Sequence, residues 1–256
     1  MKNLDAEFDS DKEVSDTDSP ETLTSSGHDH FISSGCDAVD FLLSGGFERD
    51  SITTIYGPFS SGKTNICILA AINCVRSGKK VIYIDTETSF SIARLKQLDP
   101  DYLRTLDQII FIKPTSFETQ KSIFQRLRSI VNESIGLIVV DSIALFYRLK
   151  VGDKDDNIHD INRELRLQLF HLSDLARSRN IPVIITNQVY ASFEEKDKIH
   201  MVGGDLLKYS SKCLIELQKL KGPLRRAILR KHRSLPEDKE VFFRIAEKGL
   251  FEEKID

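Results

Sequence analysis

The stretch Ile52-Thr53-Thr54-Ile55-Tyr56-Gly57-Pro58-Phe59-Ser60-Ser61-Gly62-Lys63-Thr64-Asn65 decides the fold. An apolar, β-branched run leads into residues 57–64, which satisfy GxxxxGK[ST] in full, and a helical pattern over 63–76 follows at once. Glycines let the backbone curl so that successive N–H groups face one centre, and the loop opens a helix whose amino end favours anions. A lysine at this position reaches the β and γ phosphates, and the Thr64 hydroxyl is offered to Mg²⁺. Chance supplies on the order of 0.01 such matches in a chain of this composition. Gly57, Pro58, Phe59, Ser60, Ser61, Gly62, Lys63, Thr64 and Asn65 are therefore expected to hold a nucleotide.

Outward from this loop, short apolar runs alternate with helical patterns, the signature of βαβ units around a parallel sheet. Core strands are expected at 52–56, 80–85, 109–113, 137–141 and 182–187. Helices are expected at 63–76, 117–134 and 157–179, the last with Ile158, Ile161, Leu165, Leu169 and Leu172 at steps of three or four and a stop at Asn180. Residues 213–220 and 226–232, around Lys221-Gly222-Pro223, read as an antiparallel hairpin, and 241–246 as a last strand. The expected fold is α/β: a mainly parallel, twisted sheet with helices on both faces and a C-terminal antiparallel extension.

Two strand ends add carboxylates. Leu137-Ile138-Val139-Val140-Asp141 resembles a Walker B strand, whose acid joins Thr64 in the magnesium shell; alone it could equally be a core strand ending in Asp. Glu87 lies just past the strand of residues 80–85, on the edge where ligands collect in open α/β sheets, and could accept a proton from an attacking water. Gln188 ends another strand at the same level and could sense a γ-phosphate. A solvated loop acid and a plain strand end are the competing readings of these two.

The 256 residues, with 40% hydrophobic and 29% charged side chains, suit one full-sized globular domain that needs no staple. Cys36, Cys67, Cys74 and Cys213 form no CxxC pair, so reduced thiols are expected. No apolar run approaches a membrane span, and no signal-like segment opens the chain, which points to the cytoplasm. The net charge of −3 divides unevenly: residues 1–27 hold eight acidic side chains against two lysines, leaving +3 on the other 229 residues. Residues 1–27 are expected to be a disordered acidic tail and 28–256 the folded domain.

In this order, residues 57–64, Ile84-Asp85-Thr86-Glu87, Leu137 to Asp141 with Ser142, and Ile185-Thr186-Asn187-Gln188-Val189 resemble the ATPase core of the RecA/RadA recombinases, a P-loop NTPase superfamily. Ser34-Gly35-Cys36-Asp37 and Leu43-Ser44-Gly45-Gly46-Phe47 resemble its opening segment, and Leu235-Pro236-Glu237 with residues 243–250 its closing strand. Within that group the chain is most similar to the RadB family of archaeal RadA paralogues. Tyr56-Gly57-Pro58, Lys63-Thr64-Asn65 and Lys231-His232-Arg233-Ser234 read that way, and the first 30 residues hold neither a helix-hairpin-helix domain nor an F-x-x-A motif. The resemblance implies catalytic roles for Lys63, Glu87 and the γ-phosphate sensor Gln188, adenine stacking by Arg94, and Mg²⁺ at Thr64 and Asp141. It also implies that Lys231 and His232 approach a neighbouring protomer's nucleotide in a homo-oligomer. Thr88, where the family commonly has Gly, and Ala93, where it commonly has Glu, depart from the pattern and suggest slow turnover.

The function so implied is an ATP-binding, weakly hydrolysing accessory protein of homologous recombination and repair that modulates a RadA-type recombinase or a repair nuclease. Its turnover would be that of a weak ATPase dependent on or modulated by DNA. An ATP-regulated binding module with negligible hydrolysis, or a KaiC-like signalling ATPase, is the alternative. For weak, sequence-independent binding of single-stranded DNA, the footprint is Lys208, Lys212, Lys219, Lys221, Arg225, Arg226 and Arg230, with no acidic residue between Glu216 and Glu237. The competing reading is a solvated hairpin whose charges alternate between faces. The loops at 147–157 and 190–212, with Tyr190, Phe193 and Tyr209 as stacking candidates, are the other DNA-facing segments that the resemblance implies.

Overall fold

The computed structural model describes residues 30–152, 157–191 and 199–254. The expected tail, the 28–256 boundary and most of the two loop tips lie wholly or partly outside them. A short ribbon of β1 (Phe31–Ile32) and β2 (Phe47–Glu48) brackets α1 (Asp37–Leu42), and β3 (Ile52–Gly57) then enters the main sheet. There follow α2 (Lys63–Arg76), β4 (Lys80–Asp85), α3 (Ile92–Leu98), α4 (Tyr102–Asp107), β5 (Ile109–Ile112), α5 (Phe117–Ile130) and β6 (Ile135–Asp141). The chain continues through α6 (Leu145–Val151), α7 (Ile158–Arg179), β7 (Val183–Ala191), β8 (Ile199–Met201) and α8 (Gly204–Ser210). It ends in β9 (Cys213–Lys219), β10 (Leu224–Lys231), β11 (Glu240–Ala246) and β12 (Gly249–Glu253).

The sheet runs β12-β11-β10-β9-β3-β7-β6-β4-β5, with β8 against β7. The six strands from β9 to β5 are parallel, and β10 to β12 form the antiparallel extension. Strand alternation explains why the central runs are apolar throughout. Val81, Tyr83, Leu137 and Val139 pack on the face covered by α1 and α2, while Ile82, Ile84, Ile138 and Val140 pack beneath α5 and α7. The four cysteines are buried, and burial pushes Cys36 up to about 11 and Cys74 and Cys213 to about 12, so these thiols stay protonated at neutral pH.

Helix ends follow local chemistry. Asn157 Oδ1 accepts from His159 N at 3.0 Å to start α7, and Asn180 closes it in the left-handed region at φ 50°. A capping box between Ser116 and Thr119 starts α5, which stops at Ile130, short of the expected 134. There Asn132 Oδ1 accepts from Ser134 N and Oγ, a local turn that competes with the helix. The five short helices and β12 escape sequence reading because five to seven residues carry too little periodicity.

Asp99 joins α2, α3 and α4. Its buried carboxylate accepts from Thr105 Oγ1 at 2.5 Å, Arg76 Nη2 at 3.0 Å and Asp101 N at 3.2 Å. Burial alone would raise its pKa, but these donors outweigh burial and hold it below 3.8. A carboxylate depressed in the folded state stabilises above its unfolded pKa, and that contribution is lost as pH falls through the folded value. Asp99→Asn is therefore expected to lose about 2 kcal/mol at pH 7. Urea midpoints of variant and parent should converge below pH 3.8; a constant gap across pH would refute this role.

Candidate functional site

The phosphate loop is shaped by its neighbours. A Cβ on Gly57 would stand 2.3 Å from the Leu217 carbonyl oxygen, because β9 runs alongside, and Gly62 precedes α2 with φ 107°. Only glycine fits both demands. Lys63 Nζ folds back onto the carbonyls of Gly57 and Pro58, at 2.8 and 2.9 Å. Burial lowers its pKa, an effect that Asp141 and Glu87 oppose. The Ser61 hydroxyl is buried without a hydrogen-bond partner. A curled loop with an orphan hydroxyl and a half-desolvated lysine at a helix amino end fits a phosphate ester.

Strand register gathers the remaining groups at one edge. Gly57 is level with Gln188 across β3 and β7, and Asp85 is level with Asp141 across β4 and β6. Asp141 Oδ2 accepts from Thr64 Oγ1 at 2.8 Å, Ser89 Oγ at 2.9 Å and Tyr83 OH at 3.0 Å, and Oδ1 accepts from Thr186 Oγ1 at 2.5 Å. The Thr64 hydroxyl and Asp141 carboxylate are hard oxygen donors of the kind that suit Mg²⁺ beside phosphates.

Beyond β4, the Asp85 carboxylate accepts from the backbone N–H groups of Ser89 and Phe90, and Thr86 bonds both ways with Ser142. This stitching projects Glu87 into the site. Ser142 Oγ donates to Glu87 Oε1 at 2.5 Å and Gln188 Nε2 to Oε2 at 2.8 Å. Thr88 closes the loop at φ 55°, a left-handed conformation that strains a β-branched residue.

These groups line a cavity of about 580 Å³, together with Arg225 and Ile245 from the C-terminal extension. Arg94 is not among its lining residues. Its guanidinium donates to Asn65 Oδ1 at 2.6 Å, Gln97 Oε1 at 2.9 Å and the carbonyls of Ala246 and Glu247 at 2.9 and 2.8 Å. It thereby bolts α3 to α2 and to the β11–β12 turn.

The basic footprint needs correction, because pairing partners lie across strands rather than nearby in sequence. Arg225 is buried against the phosphate loop, not on an open face. Arg226 pairs with Glu240, and Arg230 with Glu216 at 2.7 Å and Asp238 at 2.5 Å. Lys231 Nζ donates to the carbonyls of Lys208 and Ser211 at 2.6 and 2.8 Å, where a cation suits the carboxyl end of α8. The His232 side chain, 2% exposed, accepts at Nδ1 from Ser234 N and Leu235 N at 3.2 Å, so it faces inward rather than toward a neighbour. Burial lowers its pKa, which favours the neutral ring. Lys208, Lys212, Lys219 and Lys221 remain exposed, with Lys208 near Asp205 at 3.8 Å.

No helix among the described residues is long and apolar enough to cross a membrane. The sequence profile of Rad51 matches residues 30–253. The DNA repair and recombination protein RadB of Methanococcoides burtonii is 43% identical over 218 residues, covering 85% of this chain and 96% of that one. RadB of Methanocaldococcus jannaschii is 43% identical over 210 residues, covering 82% and 96%. The crystal structure of the RadB recombinase matches with a TM-score of 0.75 at 36% identity, covering 88% of this chain and 100% of that one. A GxxxxGK[ST] loop, an Asp-ended central strand and a C-terminal antiparallel extension in one sheet, matched along nearly their whole length by these relatives, place the chain in the Rad51 family, within its RadB group of DNA repair and recombination proteins.

Proposed function

We propose that this chain is an ATP-binding, slowly hydrolysing accessory protein of homologous recombination and repair, which binds DNA weakly and modulates a recombinase or a repair nuclease. The observation that carries this reading is the meeting of Lys63, Thr64, Asp141, Glu87 and Gln188 around one cavity. In it Lys63 would leave its loop carbonyls for the phosphates and Thr64 and Asp141 would hold Mg²⁺, while Arg94, outside the lining and held by Asn65 and the β11–β12 turn, would offer its guanidinium face to the adenine. Magnesium, when bound, supplies neutralisation of charge on the phosphate oxygens. Glu87 is the base that takes a proton from water, and both its oxygens are already engaged by Ser142 and Gln188, which supports slow turnover.

Gln188 gives ATP a switching role. Its amide either donates to Glu87 or turns to a γ-phosphate, and the choice bears on β7, which continues from it to Ala191. The tied Glu87 and strained Thr88 also favour the second reading, a module that binds ATP with negligible hydrolysis. DNA would meet Lys208, Lys212, Lys219 and Lys221, since the arginines of the hairpin are already paired or buried.

Turnover and equilibrium binding separate the two readings. Lys63→Ala is expected to lose ATP binding, and Glu87→Gln to keep it while turnover falls about 100-fold. Turnover unchanged in both variants would sink the site assignment, and tight ATP binding with none in the parent would favour the module. Thr88→Gly should raise stability by about 1 kcal/mol in thermal unfolding by relieving the left-handed strain; a lower midpoint would count against that strain. In fluorescence anisotropy with single-stranded DNA, Lys219→Ala with Lys221→Ala should reduce the slope of log affinity against log salt by about 2. An unchanged slope would remove these lysines from the DNA surface.

A further inference from the structure

Arg225 stands apart from the other arginines of the C-terminal extension. Arg226, Arg230, Arg233 and Arg244 each meet a carboxylate. Arg225, only 8% exposed, meets backbone carbonyls alone: Nε and Nη2 donate to Ser60 O at 3.3 and 3.1 Å, and Nη1 donates to Gly222 O at 2.9 Å and Leu224 O at 2.7 Å. Among the described residues no charged group offsets its burial, which lowers its pKa. A desolvated guanidinium without a counter-ion is unfavourable unless an anion completes it.

The anion's place is next to it. Arg225 lines the same cavity as Lys63, Ser61 and Asp141, and four of its five N–H groups are used, leaving one on Nη2. Register puts it opposite Lys219 on β9 and Phe243 on β11, at the start of β10 and just after the turn of residues 220–223. Its grip on Ser60 therefore joins the phosphate loop to the hairpin that displays Lys219 and Lys221.

We infer that Arg225 is a positioning residue for the nucleotide phosphates: they supply its missing counter-charge, and through the Ser60 carbonyl it ties the phosphate loop to the β9–β10 hairpin. The inference rests on the nucleotide reading above and adds to it a route by which phosphate occupancy reaches the hairpin. Amide hydrogen exchange over residues 220–224 should slow when ATP and Mg²⁺ are added, and exchange that does not change would overturn the tie.

Arg225→Met tests the charge. The carbonyls it would release belong to Ser60 and Gly222, which are exposed, and to half-buried Leu224, so they can turn to water. Without nucleotide, the variant's melting temperature is expected within about 4 °C of the parent's. Its ATP·Mg²⁺ affinity by calorimetry should fall about 10- to 100-fold, its nucleotide-induced rise in melting temperature should shrink, and Arg225→Lys should recover affinity to within about fivefold. ATP affinity equal to the parent's, a Lys variant as weak as the Met variant, or failure of the Met variant to fold would each overturn the inference. Lys63→Ala serves as the control. If the parent binds ATP no better than Lys63→Ala, the nucleotide reading itself fails; if the parent binds and Arg225→Met binds equally, only the role of Arg225 fails.

Discussion

The buried carboxylate of Asp141 is the constraint on which the rest of the site depends. An ionised acid away from water is tolerated only when hydrogen bonds replace its hydration. Four hydroxyls do so here, from Thr64 on α2, Tyr83 on β4, Ser89 in the loop after it, and Thr186 on β7. Those four donors come from separate parts of the chain, so satisfying one carboxylate fixes helix, strands and loop relative to one another. The Thr64 contact also fixes the distance between the loop of residues 57–64 and Asp141.

A second layer of constraint holds Glu87. Its loop is shaped by the Asp85 carboxylate, which organises the backbone beyond it, and by the reciprocal bonds between Thr86 and Ser142. Glu87 is then restrained by Ser142 and Gln188, so the loops after β4 and β6 and the strand β7 meet on one side chain. In the proposed function, a phosphate that reached Gln188 would compete with Glu87 for its amide. The switch and the slow turnover proposed above would both rest on these contacts.

The C-terminal extension contributes more to the site than its position in the sequence suggests. Arg225 and Ile245 form a wall of the cavity, and the neighbouring β9 excludes any side chain at Gly57 through the Leu217 carbonyl. Arg94 meanwhile anchors α3 to the β11–β12 turn. The antiparallel strands are therefore a structural part of the cavity.

The strand–loop–helix of residues 52–76, the Walker B strand and the alternation of apolar runs were legible because each depends on local spacing. Gly, Lys and Thr at fixed offsets, and two-sided burial of a parallel strand, leave their mark within a few residues. Short elements such as α3 and α8 left none. The fate of the basic residues was decided only by tertiary structure, because a charge is neutralised by whatever lies across the ladder. Arg230 meets Glu216 from β9 and Asp238 from the turn, His232 turns inward beneath Glu48, and Arg225 comes to rest on a loop 165 residues earlier. Sequence alone determined which chemistry the chain can carry and on what fold; the pairing of strands determined which cations remain for a partner, since register brings distant residues within reach of one another.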